Sequence, residues 1–72
     1  DSISVWRSKN VTVRNGLVEG NNAPNGIGVM FENDDTAATG GLLADVDAVS
    51  MGGGCFSGYP ADGLEMLRTR CG

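Results

Sequence analysis

The sequence predicts an all-β fold, a segment of right-handed parallel β-helix of about two to three coils with long Gly/Asn-rich turns. Three observations predict it. Short blocks in which a small residue precedes two apolar residues spaced two apart recur along the chain. Glycine is abundant, at 12 of 72 residues, about twice or more its usual share of ~7%. No segment outside one short C-terminal stretch carries the 3.6-residue periodicity of an amphipathic helix.

The blocks Ser2-Ile3-Ser4-Val5-Trp6-Arg7, Gly26-Ile27-Gly28-Val29-Met30-Phe31 and Gly63-Leu64-Glu65-Met66-Leu67-Arg68 align without gaps. Alternation at period two marks a strand with one buried face. Stacking the blocks predicts one column of Ile3, Ile27 and Leu64 and a second of Val5, Val29 and Met66. Their unequal spacing suits a repeat architecture, where insertions bulge outward. The reading divides a single segment into a first coil over about 1–25, a second over about 26–62 and the start of a third over 63–72.

Between the blocks, Val11 to Asn15 alternates as a strand, Gly16 marks a bend and Leu17-Val18-Glu19 forms a further short strand. Leu42 to Val49 takes the corresponding place in the second coil, in a register the sequence does not fix. Gly20–Gly26, Asn33–Gly41 and Met51–Pro60 read as turns, because Gly and Asn tolerate positive φ and Pro24 lacks a ladder donor. Pro60–Arg70 is the one stretch with a helical alternative, opened by Pro and Asp62. Gly63 and the match to the other blocks favour a strand there.

Six Asp and three Glu against one Lys and four Arg give a net charge of −4. That balance argues against nucleic acid, which is bound through a basic face, and it offers no polybasic membrane anchor. No apolar run approaches the ~20 residues of a spanning helix. Asp1 opens in mid-pattern, as in a processed or excised segment. The sequence holds no histidine, which removes His-based triads and His-containing zinc sites from this chain. Cys55 and Cys71 would close a loop of about 15 residues, worth ~3 kcal/mol as a disulfide. Two reduced thiols packed as small hydrophobes, or pairing with another chain, are the alternatives.

Ser8-Lys9-Asn10-Val11-Thr12-Val13-Arg14-Asn15-Gly16, followed by Asn25-Gly26-Ile27-Gly28-Val29, resembles the coil pattern of the right-handed parallel β-helix superfamily. That group includes pectate-lyase-like proteins, alginate epimerases and lyases, and secreted bacterial repeat proteins. The resemblance implies an extracellular or cell-surface protein that binds or processes acidic polysaccharide in an outward groove. It also implies an Arg or Lys that abstracts a proton beside a uronate carboxylate, with Ca²⁺ or another cation neutralising that carboxylate. Arg7, Arg14 and Arg68 are the catalytic candidates on this reading. Asn33-Asp34-Asp35 resembles the Asp-rich motifs of polygalacturonase-like hydrolases, without their His-Gly and Arg-x-Lys companions, and makes Asp34 and Asp35 the metal candidates.

Two further groups follow from the residues themselves. Asp45 and Asp47, two apart on a strand, place carboxylates on one face about 7 Å apart, a range suited to Ca²⁺ or glycosidase chemistry. Trp6 falls out of phase with Ile3 and Val5 and faces outward as a sugar-stacking or protein-contact surface. Trp6, Asp45 and Asp47 are thus the ligand-binding candidates. Gly52-Gly53-Gly54 lacks the Lys-Ser/Thr of a phosphate loop, and Asn10-Val11-Thr12 matches an N-glycosylation acceptor.

Two functions compete. One is a segment of a polysaccharide-active lyase or epimerase, which 72 residues alone would not make active. The other is a structural module without catalysis, self-assembling end to end into a fibre or docking on the rest of a larger β-helix. The family resemblance favours the first, and the open ends of a short stack favour the second, because about three repeats are needed for stability and bare strand edges invite pairing.

Overall fold

A computed structural model of the chain describes residues 2–32, 40–58 and 63–72. The strands are β1 (Ile3–Trp6), β2 (Thr12–Glu19), β3 (Ile27–Glu32), β4 (Leu42–Val49), β5 (Gly54–Gly58), β6 (Glu65–Leu67) and β7 (Arg70–Cys71). They form two small parallel sheets, one in the order β1-β3-β5 and the other in the order β2-β4-β6, with β7 also on β4. The class is all-β, as the sequence predicts.

The parallel β-helix is not the fold. The strands lie in two separate sheets of three and four strands that do not close into a coil. The predicted columns dissolve with it. Ile3 stands beside Val29 and Val5 beside Phe31, two residues away from the expected partners. Ile27 stands beside Gly54. The third block lies in the other sheet altogether, where Met66 pairs with Leu43. The small–apolar–x–apolar pattern is shared by any half-buried strand, so it aligns strands that are never neighbours. The missing third strand of the first sheet is β5, inside the stretch read as a Met51–Pro60 turn.

The bend in β2 also moves. Asn15, with φ of 58°, takes the left-handed conformation rather than Gly16. Asp45 (φ 56°) and Arg68 (φ 50°) do the same, and each follows a member of the Arg14–Ala44–Leu67 row. A second left-handed row runs through Asn10 (57°), Gly40 (56°) and Gly63 (72°), just before the β2, β4 and β6 strands. Asn and Gly are the residues that adopt this conformation at least cost. At Gly40 a side chain would also collide with the Asn10 amide oxygen.

The left-handed residue in β4 resets the strand's alternation. Leu43 is buried before it and Val46 and Ala48 after it, so the same sheet feeds the core from both halves. Val29, Phe31, Leu43 and Val46 are at most 1% exposed, and each such burial is worth about 1.5–3 kcal/mol. Val18 and Cys55 complete the cluster, with Val5, Val11, Val13, Met51, Phe56 and Leu64 packed around it. Gly28 passes so close to the Cys55 carbonyl that a β-carbon there would clash with it and press on Ala48.

Candidate functional site: the open sheet ends

In a parallel sheet, residues paired across strands point to the same face, so each inward position forms a column through the layers. The columns are well covered in the middle and only partly covered at their ends. Ile3 is 37% exposed where its neighbour Val29 is fully buried, and Met66 is 45% exposed where Leu43 is buried. Val13 shares the Leu43 column at the opposite end and is half-buried. Apolar side chains of the outer layers therefore face the core but are only partly covered.

The backbone edges match. Among the described residues β1 pairs with β3 alone and β2 with β4 alone, while β5 pairs with β3 and β6 and β7 with β4. Bonds beyond the strand ends lengthen these ladders, such as Ser2 N–H to Ile27 O and Arg7 N–H to Glu32 O, both 2.9 Å, and Leu42 N–H to Val11 O, 3.0 Å. The outer edge of each end strand presents N–H and C=O groups in strand geometry, which is a template for pairing with another chain.

One end is stapled. Cys55 of β5 and Cys71 of β7 form a disulfide with Cα atoms 5.7 Å apart, tying the last strand of the first sheet to the second. Cys71 stands in the Ala48 column, and Cys55 is buried beneath it. Of the readings the sequence leaves open, the intramolecular bridge is the one formed. Such a bond is compatible with an extracellular location.

Asp45 and Asp47 do not form a free carboxylate pair. Arg68 donates Nε–H to Asp45 Oδ1 at 2.5 Å and Nη2–H to Oδ2 at 3.0 Å. Arg70 donates to both oxygens of Asp47 at 3.2 and 3.1 Å. The four side chains line one shallow cleft as two parallel forks, the bidentate geometry that suits guanidinium and carboxylate. The Arg68 hydrogen bond holds the Asp45 carboxyl below its usual pKa, and Asp45 and Asp47 raise the Arg68 and Arg70 guanidinium groups in turn. A carboxylate committed to an arginine is a poor Ca²⁺ ligand, and an arginine held by a carboxylate is a poor base. The ligand candidates Asp45 and Asp47 are thus found paired with arginines, Asp45 with the catalytic candidate Arg68 and Asp47 with Arg70.

Sequence reasoning missed Arg70. The signal was present: Arg68-x-Arg70 repeats the two-residue spacing of Asp45-x-Asp47, so one strand beside the other brings both pairs into register.

Arg7 lies with its guanidinium carbon 5.3 Å from the centre of the Trp6 ring, within cation–π range. Trp6 is 56% exposed, facing outward as its phase predicts. Arg7 follows β1 of the first sheet and Arg68 follows β6 of the second. Arg14 is exposed on β2 beside Ala44. Asp34 and Asp35 lie outside the described residues. Among the described residues no group of three or more His, Cys, Asp or Glu side chains comes together as a metal site, and no helix is long and apolar enough to cross a membrane.

Comparison of the chain with protein-family models, with curated proteins and with solved structures finds no match.

Proposed function

We propose that the chain is a structural module that associates end to end through its open sheet edges, without catalysis of its own. The observation that carries this reading is the contrast within single columns, where Val29 and Leu43 are buried and their outer neighbours Ile3 and Met66 are not. Exposed inward apolar side chains beside strand edges that are unpaired among the described residues are what an associating surface needs. A disulfide-stapled, extracellular setting suits such a module.

Sedimentation velocity over a concentration series tests the reading. The wild-type chain is expected to form larger species as concentration rises. Ile3→Lys and Met66→Lys, each placing a charge at one end, are expected to hold it as a folded monomer with an unchanged circular dichroism spectrum. A wild-type chain that stays monomeric to millimolar concentration sinks the idea.

A second reading rests on Trp6. An exposed indole offers a stacking face to a sugar ring. Because Trp6 is the single tryptophan, its fluorescence reports directly on titration with uronate oligosaccharides. No change across a panel of such sugars removes that reading.

A further inference from the structure

The end-to-end reading leaves open what sits on each end, and the left-handed rows answer it. We propose that the occupant is a second copy of this chain, added head to tail in one fixed register, with β2 of one copy on β6 and β7 of the next. This rests on the association proposed above and names its partner and geometry.

The register follows from pairings already present. β4 sits on β2 with Thr12 beside Leu42 and Leu17 beside Asp47. β6 and β7 sit on β4 with Glu65 beside Leu42 and Arg70 beside Asp47. Each step stacks one left-handed row on another: Asn10, Gly40 and Gly63 before the strand, then Asn15, Asp45 and Arg68 at the bend. The edge of β6 that no described strand pairs therefore carries the same two backbone bends as the strands below it, at the same spacing. A second copy's β2, with its own bends at Asn10 and Asn15, continues both rows without distortion. A segment lacking two left-handed residues five apart does not.

The side chains agree with the backbone. In that register Val13 of the added copy covers Met66, the half-exposed end of the Leu43 column. In the other sheet Val29 already stands beside both Ile3 and Phe56, so the added Ile3 falls on Phe56. On the outer face, the added Thr12 lies beside Glu65 and the added Leu17 beside Arg70. That sets the added Arg14 one pleat from Glu65, and the added Glu19 one pleat from Arg70. Both diagonals join opposite charges within reach of long side chains. The two ends are different surfaces, so the contact is heterologous and leaves a fresh end after each addition. Such a contact builds open chains rather than closed dimers.

Charge exchange at the joint tests the register. Arg14→Glu and Glu65→Arg are both on exposed outward positions, and circular dichroism checks that each variant folds. In sedimentation, each single variant is expected to need about 1.5-fold to fivefold more protein to reach the wild-type degree of association, the size of effect that cross-strand charge pairs have. The double variant Arg14→Glu/Glu65→Arg restores opposite charges and is expected to return to the wild-type curve. Association that persists with the single variants unchanged, or a double variant weaker than either single, overturns this register while leaving end-to-end association standing. A wild-type chain that never associates overturns both.

Discussion

The middle layer and the outer layers of this protein are made of similar residues in different circumstances. β3 and β4 have a strand on each side, and their inward side chains are closed off: Val29, Phe31, Leu43, Val46 and Ala48 are all 0–1% exposed. Among the described residues β1, β2 and β6 have a strand on one side, and Ile3, Val13 and Met66 hold the same columns only partly covered. The difference teaches that burial here is a property of position in the stack. For Ile3, Val13 and Met66 the layer beyond is what makes the difference, while Val18 of β2 and Cys55 of β5 are buried within outer strands.

The sharpest way to break the comparison is to truncate one residue from each kind of layer. Phe31→Ala in β3 is expected to cost about 3–5 kcal/mol, the range for a buried aromatic. Ile3→Ala in β1 is expected to cost about 1 kcal/mol or less, since its side chain retains water contact. Urea unfolding of the two variants at a concentration where the chain is monomeric measures both, and equal losses would dissolve the distinction between layers.

Next in size is the staple. Replacing both cysteines, Cys55→Ser with Cys71→Ser, is expected to lower stability by about 3 kcal/mol through the greater freedom of the unfolded chain. Chemical unfolding of the oxidised protein and the double variant gives the difference. The loss should concentrate at the β5–β7 end, so amide exchange is expected to rise there before it rises in β3 and β4.

A smaller effect probes how closely the middle layer is packed. Gly28→Ala places a methyl against the Cys55 carbonyl and Ala48, and overpacking of this kind costs about 1–3 kcal/mol. Gly16→Ala, where nothing lies within 4 Å of the added carbon, is its control. A thermal unfolding scan is expected to lower the midpoint for Gly28→Ala well beyond that of Gly16→Ala.

The smallest expected effect lies at the outer corner. Arg68 holds the Asp45 carboxyl below its usual pKa, so the folded state binds that proton less readily than the unfolded chain. The contribution of the pair is therefore complete above about pH 4, the ordinary carboxylate value, and is lost as pH falls through the depressed folded pKa. Asp45→Asn keeps a residue suited to the left-handed bend and removes the titration. The stability gap between wild type and variant is expected to be constant near neutrality and to close on the acid side. Both side chains are exposed, so salt is expected to narrow the gap as well.

Much of this was visible in the chain and some of it misled. Period-two alternation in Ile3–Trp6, Ile27–Phe31 and Glu65–Leu67 marked three strands, and Trp6 read as outward from its phase alone. The same alternation placed Ile3 beside Ile27 and brought Leu64–Arg68 into their column, because a pattern of period two is equally satisfied by every shift of two residues. β5 was hidden because Gly54-Cys55-Phe56-Ser57-Gly58 carries turn-forming residues and a single large apolar side chain. Its extended conformation comes from pairing with β3, not from local preference.

The sequence by itself determined the all-β class, the strand periodicity, the spacing of the two cysteines and the matched spacing of two aspartates and two arginines. Each of these depends on residues close together in the chain. Tertiary structure decided which strands are neighbours, that they form two open sheets instead of a closed coil, that Cys55 meets Cys71, and that Asp45 and Asp47 are taken by Arg68 and Arg70. Those outcomes turn on register between distant segments. In that register the left-handed residues stack as the rows Asn10–Gly40–Gly63 and Asn15–Asp45–Arg68, and Arg68 among them is a residue that local preference does not place there.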